Sequence, residues 1–237
     1  YNEIPRSQVF EKIYNNIVIN NDNHDTRNFQ IPSILYILED YTSVIDPLVE
    51  WRRKQGFEVI VVDSDETGSS TSSIKNYISN AYNNWSNPPE FVCLVGDANG
   101  SLTIPTYNVG EGGSWWGAYG EGDFPYTLLD GNDNLPDIIM GRMSVRSTSS
   151  LATVVNKIIG YEKNYAGTTN WLRAAALVGD PYDSGISTVI TNEYIEEAIG
   201  IHGGITDVRT KYSGSGYDTW MRTQINDGVS YLNYRGF

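Results

Sequence analysis

Phe91-Val92-Cys93-Leu94-Val95-Gly96-Asp97, set beside Ala174-Ala175-Ala176-Leu177-Val178-Gly179-Asp180, decides the fold class. Each stretch is an unbroken apolar run of strand length that stops at Gly-Asp, and the phrase Leu-Val-Gly-Asp stands in both. A strand with one wet face alternates apolar and polar residues, whereas an unbroken run suits a strand covered on both faces, as in a parallel sheet between helices. Residues 34–38 (Ile-Leu-Tyr-Ile-Leu) repeat the pattern before Glu39-Asp40, and residues 57–62 run into Asp63. Helical signals lie between these strands. Asp46 reads as an N-cap before Pro47, with Gly56 closing that helix. Ser72 or Ser73 caps a helix whose apolar positions Ile74, Tyr77, Ile78, Ala81 and Tyr82 share one face. A strand over 137–140 and a helix over 147–164 complete a first block. The second block continues from Ala174 with a helix over 187–199, a strand over 207–212, a helix over 217–226 and a buried strand from Val229. Strand–helix alternation predicts right-handed parallel crossovers and an α/β fold. The expected division is an N-terminal arm (1–30), a first α/β subdomain (31–166) and a second (167–237), parted by the turn-like Ala-Gly-Thr-Thr-Asn before Trp171.

Composition narrows the function. With 237 residues, 40% hydrophobic and 19% charged, the chain can bury a substantial core, and wholesale disorder is excluded. A formal charge of −13 argues against nucleic acid, which needs an excess of Lys and Arg. No apolar run approaches the length of a membrane-spanning helix. Cys93 is the single cysteine, so no internal disulfide forms. Low cysteine, low lysine and 17 tyrosines lean towards a bacterial extracellular protein.

In open α/β sheets ligands gather beyond the carboxyl ends of the strands, which here carry Asp40, Asp63, Asp97 and Asp180. Asp40 and Asp63 read as caps of the elements that follow. Asp97 has a second acidic set in the chain after it, Asp130-Gly131-Asn132-Asp133-Asn134-Leu135-Pro136-Asp137. Carboxylates and loop carbonyls are the hard oxygens that Ca²⁺ takes, and crowding acids without a cation is costly. A solvated Asp/Asn turn is the competing reading. The glycine- and tryptophan-rich residues 110–123 suit either a substrate-facing or sugar-binding loop, or a cover for a sheet edge. No phosphate-cradling glycine motif opens a helix, which removes a flavodoxin-like ligand binder. Cys93 sits mid-strand and reads as a packed, protonated thiol. His24 and His202 read as surface residues.

Several phrases in order are similar to the gingipain family of bacterial cysteine peptidases: residues 47–59 (Pro-Leu-Val-Glu-Trp-Arg-Arg-Lys-Gln-Gly-Phe-Glu-Val), 91–97, Asp137-Ile138-Ile139-Met140-Gly141-Arg142, Lys157 to Glu162, and Gly228 to Tyr234. The resemblance implies two stacked α/β subdomains with mainly parallel sheets, the second caspase-like and incomplete, in a protein exported to the bacterial surface or beyond, with residues 1–30 either the end of an upstream pro-region or the arm of the mature protein. It implies hydrolysis of protein or peptide substrates by a Cys/His pair. It also implies structural Ca²⁺, bound by the side chains of Asp97, Asp133 and Asp137 with the carbonyls of Asp130 and Leu135. Asp180 matches the acid that orients the histidine, with Asp183 the competing candidate, the latter also suited to a pocket for a basic residue. The family's histidine follows a Tyr-x-Gly run, and here Tyr234-Arg235-Gly236 leads to Phe237, which cannot exchange a proton. The nucleophile is expected in the remaining C-terminal part of the protein, and the 237 residues alone are expected to be inactive. A catalytically dead relative serving as an extracellular binding or scaffold module is the alternative.

Overall fold

The computed structural model describes residues 6–17, 29–109, 120–163 and 169–236. The chain divides into two compact units, Tyr1–Glu162 and Lys163–Phe237.

The first unit opens with helix α1 (Gln8–Ile17), within the segment expected as an N-terminal arm. There follow β1 (Ser33–Leu38), α2 (Asp46–Lys54), β2 (Glu58–Val62), the single turn α3 (Ser64–Thr67), α4 (Thr71–Asn84) and β3 (Phe91–Val95). A short ladder, β4 (Tyr107–Val109) with β5 (Gly120–Gly122), precedes β6 (Ile139–Met143) and α5 (Thr148–Lys163). The main sheet runs β2-β1-β3-β6 with every pair parallel. β1 is buried at all six positions because both faces are covered. Ile34, Tyr36 and Leu38 pack with Leu48, Val49, Leu151 and Val155 of α2 and α5, while Leu35 and Ile37 face Ile74 and Ile78 of α4 and Tyr126. Each fully buried Leu or Ile contributes about 1.5–3 kcal/mol.

Two caps differ from the sequence expectation. Ile45 occupies the N-cap of α2 and Asp46 lies in its first turn, where its carboxylate accepts from Tyr41 Oη at 2.6 Å. Ser70, not Ser72 or Ser73, caps α4, and Ser73 returns the bond to complete a reciprocal capping box. In a run of five hydroxyl residues (69–73), only the position at which the backbone leaves the extended conformation can cap. Asp63 caps α3 as expected.

Glu162, near the end of α5, ties that helix to α2. Its carboxylate accepts from Trp51 Nε1 at 2.6 Å and from Arg52 Nη1 and Nη2 at 2.6 and 2.8 Å. The Arg52 hydrogen bonds, helped by Trp51 and opposed by partial burial, depress the carboxyl from 4.5 to about 2. A depressed carboxylate stabilises the fold above its unfolded value and ceases to do so as pH falls through the folded one. Glu162→Gln should therefore cost about 1–2 kcal/mol at neutral pH, after discounting for solvent screening. The difference between variant and parent, read from urea midpoints, should vanish as pH drops from 4.5 towards 2.

The second unit holds β7 (Ala174–Gly179), the single turn α6 (Pro181–Ser184), α7 (Ser187–His202), β8 (Asp207–Lys211), α8 (Tyr217–Asp227) and β9 (Tyr231–Arg235). Its sheet is β8-β7-β9, both pairs parallel. β7 is buried throughout. The expected burial of the last strand is corrected: β9 is an edge among the described residues, with Tyr231 and Tyr234 38% and 37% exposed. Asn192 of α7, fully buried, donates to Val178 O at 2.9 Å and Thr188 O at 3.0 Å and accepts from Asn233 Nδ2 at 2.8 Å, linking α7, β7 and β9.

The glycines of the doubled Leu-Val-Gly-Asp phrase now have a reason. A Cβ on Gly96 would lie 2.6 Å from Leu102 O, and one on Gly179 would lie 3.0 Å from Thr188 O. At Gly96 the returning backbone leaves no room for a side chain, and at Gly179 a Cβ would fit only if α7 gave way by a few tenths of an ångström.

Candidate active site

Each unit carries charged residues beyond the carboxyl ends of its parallel strands. In the first, Arg142 of β6 donates to Asp123 through Nε (2.8 Å) and Nη2 (2.7 Å), to Gly96 O and Ile104 O through Nη1 (3.0 and 2.8 Å), and to Pro105 O through Nη2 (3.2 Å). One guanidinium thus fastens the loop after β3 to the segment after β5. Burial pushes the Asp123 carboxyl up, and Arg142 more than offsets it, leaving it below the usual carboxylate range.

Asp97 ends β3 and bonds Arg146 Nε, with Ser144 Oγ at 3.1 Å and the Ala98 N–H at 2.8 Å. Arg146 chiefly, then Ala98 and Ser144, lower its pKa. Asp130, Asp133 and Asp137 are elsewhere. β3 and β6 run parallel with Phe91 opposite Ile139 and Val95 opposite Met143. Asp137 therefore precedes the amino end of the pair, and Asp97 follows its carboxyl end. About eight residues of strand rise separate the two levels, on the order of 25 Å. The single site joining Asp97 to the other three is accordingly corrected. Adjacency in the chain misled because a parallel strand returns to the opposite edge before it starts.

The 130–137 loop closes on itself. Asp137 Oδ2 accepts from the N–H groups of Leu129 (2.7 Å) and Asp130 (2.9 Å), Asp130 Oδ1 from Gly131 N–H (2.8 Å), and Asp133 Oδ1 from Leu135 N–H (2.9 Å). Each carboxylate spends one oxygen on the loop and has no hydrogen bond to the other among the described residues. Among the described residues no three His, Cys, Asp or Glu side chains stand close enough to share one ion. Two carboxylates with loop carbonyls remain a hard-oxygen donor set.

Cys93 is no nucleophile. It sits at the middle of β3, and burial pushes its thiol up to about 12, so the thiolate is absent at neutral pH. His202 is exposed at the end of α7. His24, the Trp115-Trp116 stretch and Phe237 lie outside the described residues.

In the second unit Asp180 ends β7, only 8% exposed. Its Oδ1 accepts from Tyr182 N–H at 3.0 Å, and its own N–H donates to Arg235 O at 3.0 Å, across to β9. A Cβ placed on Gly236 would stand 3.0 Å from Asp180 Cβ and 2.6 Å from Tyr234 Oη. The structure thus seats Asp180 against the Tyr-x-Gly run, immediately before the position matching the family's histidine. Asp183, exposed on α6, is not held in this way. Two residues that sequence reading passed over complete this edge, Tyr217 and Lys211. The Lys211 ammonium stands 5.2 Å from the Tyr217 ring centroid.

Comparison with known proteins agrees with this layout. Lys-gingipain of Porphyromonas gingivalis is 27% identical over 96% of this chain, and gingipain R2 of the same species is 24% identical over 96%. The chain spans 13% of the first relative and 31% of the second. The crystal structure of the Arg-specific cysteine proteinase gingipain R superposes with a TM-score of 0.73 at 24% identity, covering 87% of this chain and 47% of that one. A further solved protease, 27% identical, gives 0.69 over 86% and 45%. The pattern of peptidase family C25 matches residues 27–237, and the chain belongs to that family.

Proposed function

We propose that the protein carrying this chain is a gingipain-like cysteine endopeptidase, exported from a bacterial cell, that hydrolyses protein or peptide substrates. Asp180 orients the histidine, and the nucleophilic cysteine is supplied outside these 237 residues. The observation that carries this reading is the seat of Asp180, a buried carboxylate pinned by its backbone to β9 beside Gly236. In such a centre a thiolate attacks the peptide carbonyl, the imidazole moves the proton to the leaving amine, and backbone N–H groups hold the oxyanion. No described helix is long and apolar enough to cross a membrane, and the strongly acidic surface disfavours nucleic acid.

The test is peptide hydrolysis by the full-length protein before and after thiol alkylation. Inhibition is expected, and Cys93→Ser should change kcat/KM by less than twofold or so, because a thiol held protonated by burial takes no part. The isolated 237 residues should cleave nothing in an alkylation-sensitive way. Phe237 in place of the family's histidine supports a second reading, a silent binding or scaffold module. That reading gains if the full-length protein shows no alkylation-sensitive cleavage.

Calcium on the 130–137 loop is part of the proposal, held by the Asp133 and Asp137 carboxylates and the Asp130 and Leu135 carbonyls, with Asp97 outside the set. A cation bound only by the folded state, at 100 times its dissociation constant, adds about 2.7 kcal/mol of apparent stability. Thermal melts in Ca²⁺ and in chelator should differ accordingly, and Asp133→Asn should remove most of the difference. Identical melts would eliminate the ion.

A further inference from the structure

Helix α1 is fastened to the amino edge of the first sheet. Ser7 stands before it, with Oγ accepting from Phe10 N–H at 3.0 Å, and Phe10 meets Phe91 of β3 with ring centroids 6.1 Å apart. Ser7 is fully buried, and its N–H donates to Oε1 of Glu90, the residue before β3, itself only 6% exposed. Gln30 holds the same segment from its other side. Its N–H donates to Arg6 O at 3.3 Å, its Nε2 donates to Pro88 O at 3.2 Å, and its amide stands within reach of the Glu90 carboxyl.

Two oxygens of this clasp, Glu90 Oε2 and Gln30 Oε1, are buried and have no hydrogen-bond partner. With Glu90 ionised both are acceptors, so neither can serve the other, and a buried carboxylate with an empty oxygen is costly. Turning the Gln30 amide over would only set its oxygen against Pro88 O. A single proton on Glu90 Oε2 relieves both oxygens. The acid then donates to Gln30 Oε1, while Glu90 Oε1 still accepts from Ser7 N–H. We propose that Glu90 is the proton-controlled clasp of an N-terminal strap: its protonated carboxyl fastens residues 6–17 to the sheet, and its ionisation unfastens them. Arg6 is the charged group that bears on Glu90, and it is engaged by Glu11 at 3.5 Å and lies over the Tyr14 ring at 4.0 Å. Of the other acids at this edge, Glu58 accepts from Asn87 at 2.7 Å and Asp137 from the Leu129 and Asp130 N–H groups. Tyr82, on which Arg6 also acts, is kept protonated by burial. Burial of Glu90 outweighs Ser7, Gln30 and Arg6 and holds its carboxyl above the usual range. Such an acid contributes fully below its unfolded value of 4.5, and the contribution is lost as pH rises through the folded value. The device does not depend on the peptidase reading.

Hydrogen exchange of the full-length protein tests it, read by mass spectrometry over residues 6–17 and corrected for the intrinsic effect of pH on exchange. The comparison is with Glu90→Gln, which copies the protonated acid: an oxygen for Ser7 N–H and an N–H for Gln30 Oε1. In the parent, protection of α1 should fall between pH 4.5 and mildly alkaline pH, about tenfold for each unit by which docking raises the carboxyl. In Glu90→Gln it should stay level, and at alkaline pH it should exceed the parent's. Trypsin should then cut after Lys12, within α1, more slowly in the variant than in the parent at the same alkaline pH. A Glu90 that is satisfied as a carboxylate gives the opposite pattern, no fall in the parent and a looser α1 in the variant. Either of those results overturns the clasp.

Discussion

Asp180→Asn in the full-length protein is expected to reduce kcat by about 10³–10⁴-fold, the loss seen when the acid that orients a catalytic histidine becomes an amide. The reason is electronic rather than steric. Asn keeps the side-chain oxygen that caps α6 through Tyr182 N–H, and the backbone bond to Arg235 O does not depend on the side chain. The variant should therefore melt with the parent. What it loses is the negative charge that selects one imidazole tautomer and stabilises the imidazolium formed during proton transfer. A loss smaller than tenfold would remove Asp180 from the centre. Exposed Asp183 supplies the control, since Asp183→Asn should leave kcat nearly unchanged and act, if at all, through KM.

Arg142→Met should cost about 3–5 kcal/mol, the penalty for breaking a buried charge pair from one side. Arg142 is 13% exposed and Asp123 24%, so removing the guanidinium strands a carboxylate away from water. It also releases the carbonyls of Gly96 and Ile104, whose only side-chain donor among the described residues is this one, while Pro105 O keeps the Tyr126 hydroxyl at 2.8 Å. Urea titration should show a midpoint shift of that size with little change in slope. Asp123→Asn/Arg142→Met should recover part of the loss, because the stranded charge is gone. If the single variant loses less than about 1 kcal/mol, the pair acts as an ordinary surface bridge. Acid should mimic the variant: the Asp123 carboxyl is depressed in the fold, so its contribution is present above the unfolded value and disappears as pH falls through the folded one.

The α/β class was legible because unbroken apolar runs have few alternatives. Residues 91–95 were read as a strand and form β3 with those bounds. The helices expected over residues 147–164 and 217–226 are close to α5 and α8. α1 was missed because its stripe sits in a polar segment. Phe10 and Tyr14 stack with ring centroids 6.3 Å apart, and Phe10 meets Phe91 at 6.1 Å, a partner 81 positions away that local periodicity does not reveal. β4 and β5 were missed because a ladder of three residues per strand carries no alternation to detect.

Of the candidate site, Asp180 was reached through its strand end, and the exclusion of Cys93 as nucleophile followed from its place within a run. Tyr217 and Lys211 carried one weak signal, the Ser-Gly-Ser-Gly ahead of Tyr217, which marks a turn without saying what the turn faces.

By itself the amino-acid sequence determined the α/β class, the doubled strand–helix order and the family pattern, because hydrophobic periodicity and turn chemistry act over a few residues and survive without a fold. Only the tertiary structure decided which acids share a place. Parallel register carries Asp97 and Asp137 to opposite ends of one sheet and brings Asp180 and Gly236 to the same end of another. Distance along a chain and distance in space part company whenever a strand must cross back before pairing, and electrostatics answers to the second alone.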